Sequence, residues 1–111
     1  MDTQHKNLAE GRWFTLSLAE QLGNVGSEVG RAVKWQKQGN EEQKERALFR
    51  AFELLDLTIM DPKWLKTPRL KEICRSREML GAAFYGGEFK SRPEEMEKYF
   101  YWYAVEARKS I

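Results

Sequence analysis

The sequence predicts an all-α protein, a four-helix up-and-down antiparallel bundle. Three observations lead there. Apolar residues recur at spacings of three and four along four separate stretches, and no stretch alternates apolar and polar as a strand would. Clear turn residues cluster in only three places, Gly39-Asn40, Asp61-Pro62 and Gly86-Gly87, so the chain is cut into long pieces. The loops between those pieces are short, which makes consecutive helices antiparallel neighbours. At 111 residues the chain fits one domain. Residues 1–12 read as a loosely ordered N-terminal segment and residues 13–111 as a single helical-bundle domain. A three-helix core with a loosely docked fourth helix is the alternative arrangement.

Trp13, Phe14 and Leu16 open the apolar part, and Leu18, Leu22, Val25, Val29 and Val33 then mark one face of a first helix. Ser17 with Glu20 three residues on matches a capping box, although a start as early as Asn7 is open. Gly39 suits the left-handed residue just past the helix end. Asn40 caps a second helix, with Glu41 and Glu42 at the positive end of its dipole. Its face holds Ala47, Leu48, Ala51, Phe52, Leu55 and Ile59, and Phe49, Leu54 and Leu57 widen it, so this helix is expected to be the most buried. Asp61-Pro62 ends it, because the residue before a proline is pushed out of the helical region.

After a short connection carrying Trp64, Thr67 caps a third helix with Pro68 at its first position, where a missing N–H costs nothing. Leu70, Ile73, Cys74, Leu80 and Phe84 form its inner face, and Gly86-Gly87 closes it. Ser91 and Glu94 read as a second capping box, opening a fourth helix with Met96, Phe100, Tyr103, Ala104 and Ala107 inward.

The formal net charge of +2 is too small to define a polyanion binder by itself. One cysteine, Cys74, rules out an internal disulfide and a cysteine-built zinc site. The one histidine, His5, lies in the N-terminal segment, so no Ser-His-Asp or Cys-His pair is supported and no Glu-x-x-His motif is present. Neither a signal peptide nor a membrane-length apolar run is visible. The expectation is a cytoplasmic, non-enzymatic protein without cofactor, metal or membrane contact.

Four features could carry function. Gly23, Gly26 and Gly30 form a stripe on the first helix, each costing about 0.8–1 kcal/mol against Ala. The return is either close helix–helix approach within the fold, with a ring such as Phe52 or Phe100 against the backbone, or a subunit contact. Arg77 falls in the middle of the third helix's apolar face, which predicts a buried ion pair. Asp56 is the first choice of partner, with Glu28 and Glu53 in reserve. A catalytic or anion-binding Arg77 is the sharper option.

The third feature is a basic segment, in which Lys63, Lys66, Arg69, Lys71, Arg75 and Arg77 face only Asp61 and Glu72. Trp64 lies among these cations and either stacks on a nucleic-acid base or folds onto the core. The fourth is the run Tyr99-Phe100-Tyr101-Trp102-Tyr103, which goes right around a helix. With Phe100 and Tyr103 inward, Tyr101 and Trp102 are left for an interface, where such residues are enriched.

The phrases Leu18-Ala19-Glu20-Gln21-Leu22-Gly23-Asn24-Val25-Gly26-Ser27-Glu28-Val29 and Leu54-Leu55-Asp56-Leu57-Thr58-Ile59 resemble a family of uncharacterised small bacterial helical-bundle proteins. In length and helix plan the chain also resembles HEPN domains, 23S rRNA intervening-sequence proteins and the related accessory proteins of diversity-generating retroelements. HEPN ribonucleases carry an Arg followed a few residues later by a His, and this chain has no such His. The resemblance therefore implies a non-catalytic accessory that binds nucleic acid, RNA more than DNA, or a nucleic-acid enzyme, as a homo-oligomer. An RNase or toxin–antitoxin type protein with a non-standard site, or a purely structural self-assembling bundle, are the alternatives.

Overall fold

Helix α1 (Leu18–Lys37) begins where Ser17 and Glu20 cap each other: Glu20 N donates to Ser17 Oγ at 3.1 Å, and Ser17 N donates to Glu20 Oε1 at 2.9 Å. The computed structural model describes residues 11–87 and 90–109, so most of the N-terminal segment and His5 lie outside the described residues. Past the end of α1, Gly39 takes φ 72°, the left-handed conformation that costs glycine nothing. Asn40 then caps α2 (Glu41–Ile59), its Oδ1 accepting from Gln43 N at 3.1 Å.

The starts of the last two helices differ from expectation. Thr67 precedes α3 (Pro68–Tyr85), but its hydroxyl donates to the Trp64 carbonyl at 2.7 Å instead of capping the helix. Helix α4 (Pro93–Lys109) is not opened by Ser91 and Glu94. Pro93 occupies its first position, which makes Arg92 the flanking residue, and Arg92 N donates to Glu95 Oε1 at 3.0 Å. Two short 3₁₀ turns, Arg12–Thr15 and Pro62–Trp64, complete the described elements, and no strand occurs among the described residues.

Cross-helix pairs give the topology. Glu28 meets Arg50 while Gln21 meets Asp61, so α1 and α2 run antiparallel. Asp56 meets Arg77 while Glu45 meets Tyr85, which sets α2 against α3 in the same sense. Gly23 faces Ala104 and Gly26 faces Phe100, so α4 returns antiparallel beside α1 and closes an up-and-down bundle. Helix α1 packs closely on α2 and α4, whereas α3 makes sparser backbone contacts with its two neighbours.

The core is built from Leu22, Val25 and Val29 of α1, Leu54 and Leu55 of α2, Ile73 and Leu80 of α3, and Met96 and Phe100 of α4. The glycine stripe explains how α1 and α4 come so near. A Cβ on Gly26 would stand 2.8 Å from Phe100 Cβ, and one on Gly23 would stand 3.0 Å from Ala104 Cα. Of the two returns open for the stripe, close approach within the fold holds at Gly23 and Gly26, where α4 of the same chain fills the space and leaves no room for a subunit contact; at Gly30 the nearest atom is Glu97 Oε2 at 3.3 Å. Phe49 is a correction, since it does not join the core and is 47% exposed.

Candidate functional site

The basic segment is divided by the helix that carries it. Lys66 sits in the turn before α3 at φ 61°, exposed, and Lys71 and Arg75 are exposed one turn apart on one side of α3. Arg69 points to another side, where its NH1 is 3.3 Å from Glu72 Oε2. Glu72 also accepts a short hydrogen bond from Tyr103 of α4, whose hydroxyl lies 3.4 Å from that of Tyr99. Burial and the neighbouring Glu72 carboxylate push the Tyr103 phenol up, so it remains a hydrogen-bond donor.

Trp64 is half-buried and turned towards the fold. It packs against the core, and its indole Nε1 donates to Gln21 Oε1 at 2.9 Å. Gln21 is the centre of a buried polar network that sequence reasoning missed. Its Nε2 donates to the Trp13 carbonyl at 3.0 Å and to Asp61 Oδ2 at 2.8 Å. Lys63 Nζ reaches the same Asp61 oxygen at 2.6 Å and the Phe14 carbonyl at 2.8 Å. Trp13, itself buried, donates its Nε1 to Thr58 Oγ1 at 3.0 Å. The 3₁₀ turn before α1, α1 itself, the end of α2 and the turn after it are thus fastened together. The available signal was Gln21 itself, a polar residue between Leu18 and Val25 on the apolar face.

Asp61 shows what this network does to charge. Burial alone would raise its pKa, but hydrogen bonds from Lys63 and Gln21 outweigh burial and hold the carboxyl below its ordinary 3.8. Lys63 is therefore committed to structure, with its ammonium also 4.9 Å from the Trp64 ring centroid.

Arg77 pairs with Asp56 as expected, Nε to Oδ1 at 2.7 Å, and its guanidinium lies 5.0 Å from the centre of the Phe52 ring. The expectation that this pair is buried is wrong. The side chains are 41% and 55% exposed, because α3 stands off from α2 and leaves a groove between them. The reserve partner Glu28 is taken by Arg31 and Arg50, at 2.6 and 2.7 Å. Towards the far end of the groove Tyr85 donates to Glu45 Oε2 at 2.5 Å, and burial together with that carboxylate pushes its pKa up to about 12.

On α4, Phe100 is fully buried while Tyr101 and Trp102 are 53% and 58% exposed. Arg108 lies 6.0 Å from the Tyr101 ring centre, and Lys98 and Lys109 are exposed on the same outer face. Cys74 is half-buried on α3. Among the described residues no cluster of His, Cys, Asp or Glu is placed to hold a metal ion, and no helix is long and apolar enough to cross a membrane. Comparison with family models, with curated proteins and with solved structures finds no match to this chain.

Proposed function

We propose that this chain is a non-enzymatic, oligomeric helical-bundle accessory protein that binds nucleic acid, RNA ahead of DNA, or an enzyme acting on nucleic acid. The observation that carries the reading is the pair Tyr101 and Trp102, each more than half exposed on a helix whose opposite face buries Met96 and Phe100. Side chains of this size left in water gain most when a partner covers them.

The nucleic-acid part is supported by Lys66, Lys71 and Arg75, exposed around the start of α3. With Trp64 partly buried and its indole N–H engaged, this surface offers phosphate contacts more than base stacking, so binding should depend on salt more than on sequence. The preference for RNA follows from the family resemblance.

Titration of a labelled single-stranded RNA at low salt tests this. Affinity should fall as salt rises, with a slope of about −0.7 per phosphate neutralised, and Lys71→Glu with Arg75→Glu should both weaken binding and flatten that slope. No detectable affinity for RNA or DNA at low salt would end the nucleic-acid part of the reading.

A further inference from the structure

The groove between α2 and α3 is acidic in a chain that is net basic. Among the described residues, Glu45, Glu53, Asp56 and Glu78 line it or its continuation, with Arg77 paired to Asp56 and Lys44 3.7 Å from Glu45. Its rim is apolar as well, with Phe49 47% and Tyr85 57% exposed.

The outer face of α4 is its complement. Lys98, Tyr101, Trp102, Arg108 and Lys109 fall within one arc of that helix and all are exposed, with Glu106 at the edge of the arc. Glu94 and Glu95 share the helix start with Lys98, which restricts the complementary stretch to Tyr101, Trp102, Arg108 and Lys109. One surface offers carboxylates around exposed rings; the other offers cations around exposed rings.

A single chain cannot bring the two together. Helix α4 lies beside α1 and α3, with Tyr101 and Arg108 bordering its α1 side, while the groove opens between α2 and α3. We infer that the occupant of the α2–α3 groove is the α4 outer face of a second copy of this chain, in a head-to-tail contact. Two different patches meet in such a contact, so a pair of copies still leaves one groove and one helix face unused between them, and assembly continues into a ring or a filament. Opposite charges choose the partner and set its salt dependence, while the Trp102 and Tyr101 rings seat against Phe49 and Tyr85. The inference rests on the oligomeric part of the proposed function and not on the nucleic-acid part.

The experiment uses two variants, each spoiling one face at exposed positions: Glu45→Lys with Glu78→Lys in the groove, and Trp102→Ala with Arg108→Glu on α4. Circular dichroism first establishes that both are folded. By light scattering, the unaltered chain should assemble at high micromolar concentration, and each variant should self-associate roughly tenfold or more weakly. Mixed, the two variants should form a one-to-one dimer and nothing larger, since one intact groove and one intact helix face remain between them.

A monomeric unaltered chain overturns the inference even if it binds RNA. An oligomer that survives the groove substitutions also overturns it, while leaving the oligomeric reading in place. If Trp102→Ala with Arg108→Glu lowers RNA affinity and leaves assembly untouched, the α4 face belongs to RNA and the inference fails. Assembly with complementation but no RNA binding upholds it and removes only the nucleic-acid part of the proposed function.

Discussion

Two ion pairs of nearly equal length hold their carboxylates in opposite settings. Asp61 meets Lys63 at 2.6 Å and Asp56 meets Arg77 at 2.7 Å. Asp61 is buried and accepts from the Lys63 backbone, the Lys63 ammonium and the Gln21 amide. Asp56 is more than half exposed, so water competes with Arg77 for its oxygens. The charge separation is shared, but the surroundings are not. Where polar groups are buried and satisfied, removing one strands the others, whereas at the open groove water replaces whatever is removed. The first region locks the fold, and the second leaves its side chains available to a partner.

The largest expected effect breaks the lock at its ring. Trp13→Ala deletes a buried indole and leaves Thr58 without its donor, and should cost about 3–5 kcal/mol in urea unfolding. A loss below about 1 kcal/mol would mean that the turn before α1 is not part of the cooperative fold.

Acid probes the same region more gently. The lowered Asp61 pKa contributes stability that is present above the ordinary value of 3.8 and is lost as pH falls through the lowered one. Unfolding midpoints measured from about pH 5 down to about pH 2 should therefore decline, and Asp61→Asn should shallow that decline. An equal decline in both proteins would assign it to other carboxylates.

The smallest effect belongs to the groove. Arg77→Ala should cost only about 0.5–1 kcal/mol, because the Asp56 it leaves behind is already hydrated. A loss of about 3–5 kcal/mol would mean the groove closes over this pair in solution and that the contrast drawn between the two regions is false.

That contrast also explains what could be read from the sequence. Three local signals held, Ser17 with Glu20, Gly39 with Asn40, and Asp61-Pro62, each acting through neighbours within four residues, whereas Thr67 turned its hydroxyl back to Trp64. Ser91 failed because Pro93 set the helix start and gave the flanking position to Arg92. The wheel placed Arg77 opposite Asp56 correctly, yet its burial depended on how far α3 stands from α2, which no periodicity within one helix encodes. The glycine stripe announced a close approach, but α4 as the approaching element is a tertiary fact. Gln21 was visible as a polar residue among apolar ones, while its partners lie 8, 40 and 43 residues away.

The glycine seam also orders events during synthesis. Gly26 meets Phe100 only after α2 and α3 have been made, so the seat on α1 stays empty while the α1–α2 hairpin is already complete. Until α4 arrives, Leu22, Val25 and Val29 lack one wall of their enclosure, and the nascent chain presents apolar surface that the finished protein hides. Gly23 and Gly26 leave that seat wide enough for α4 to dock backbone to backbone, and its arrival closes the three helices made before it.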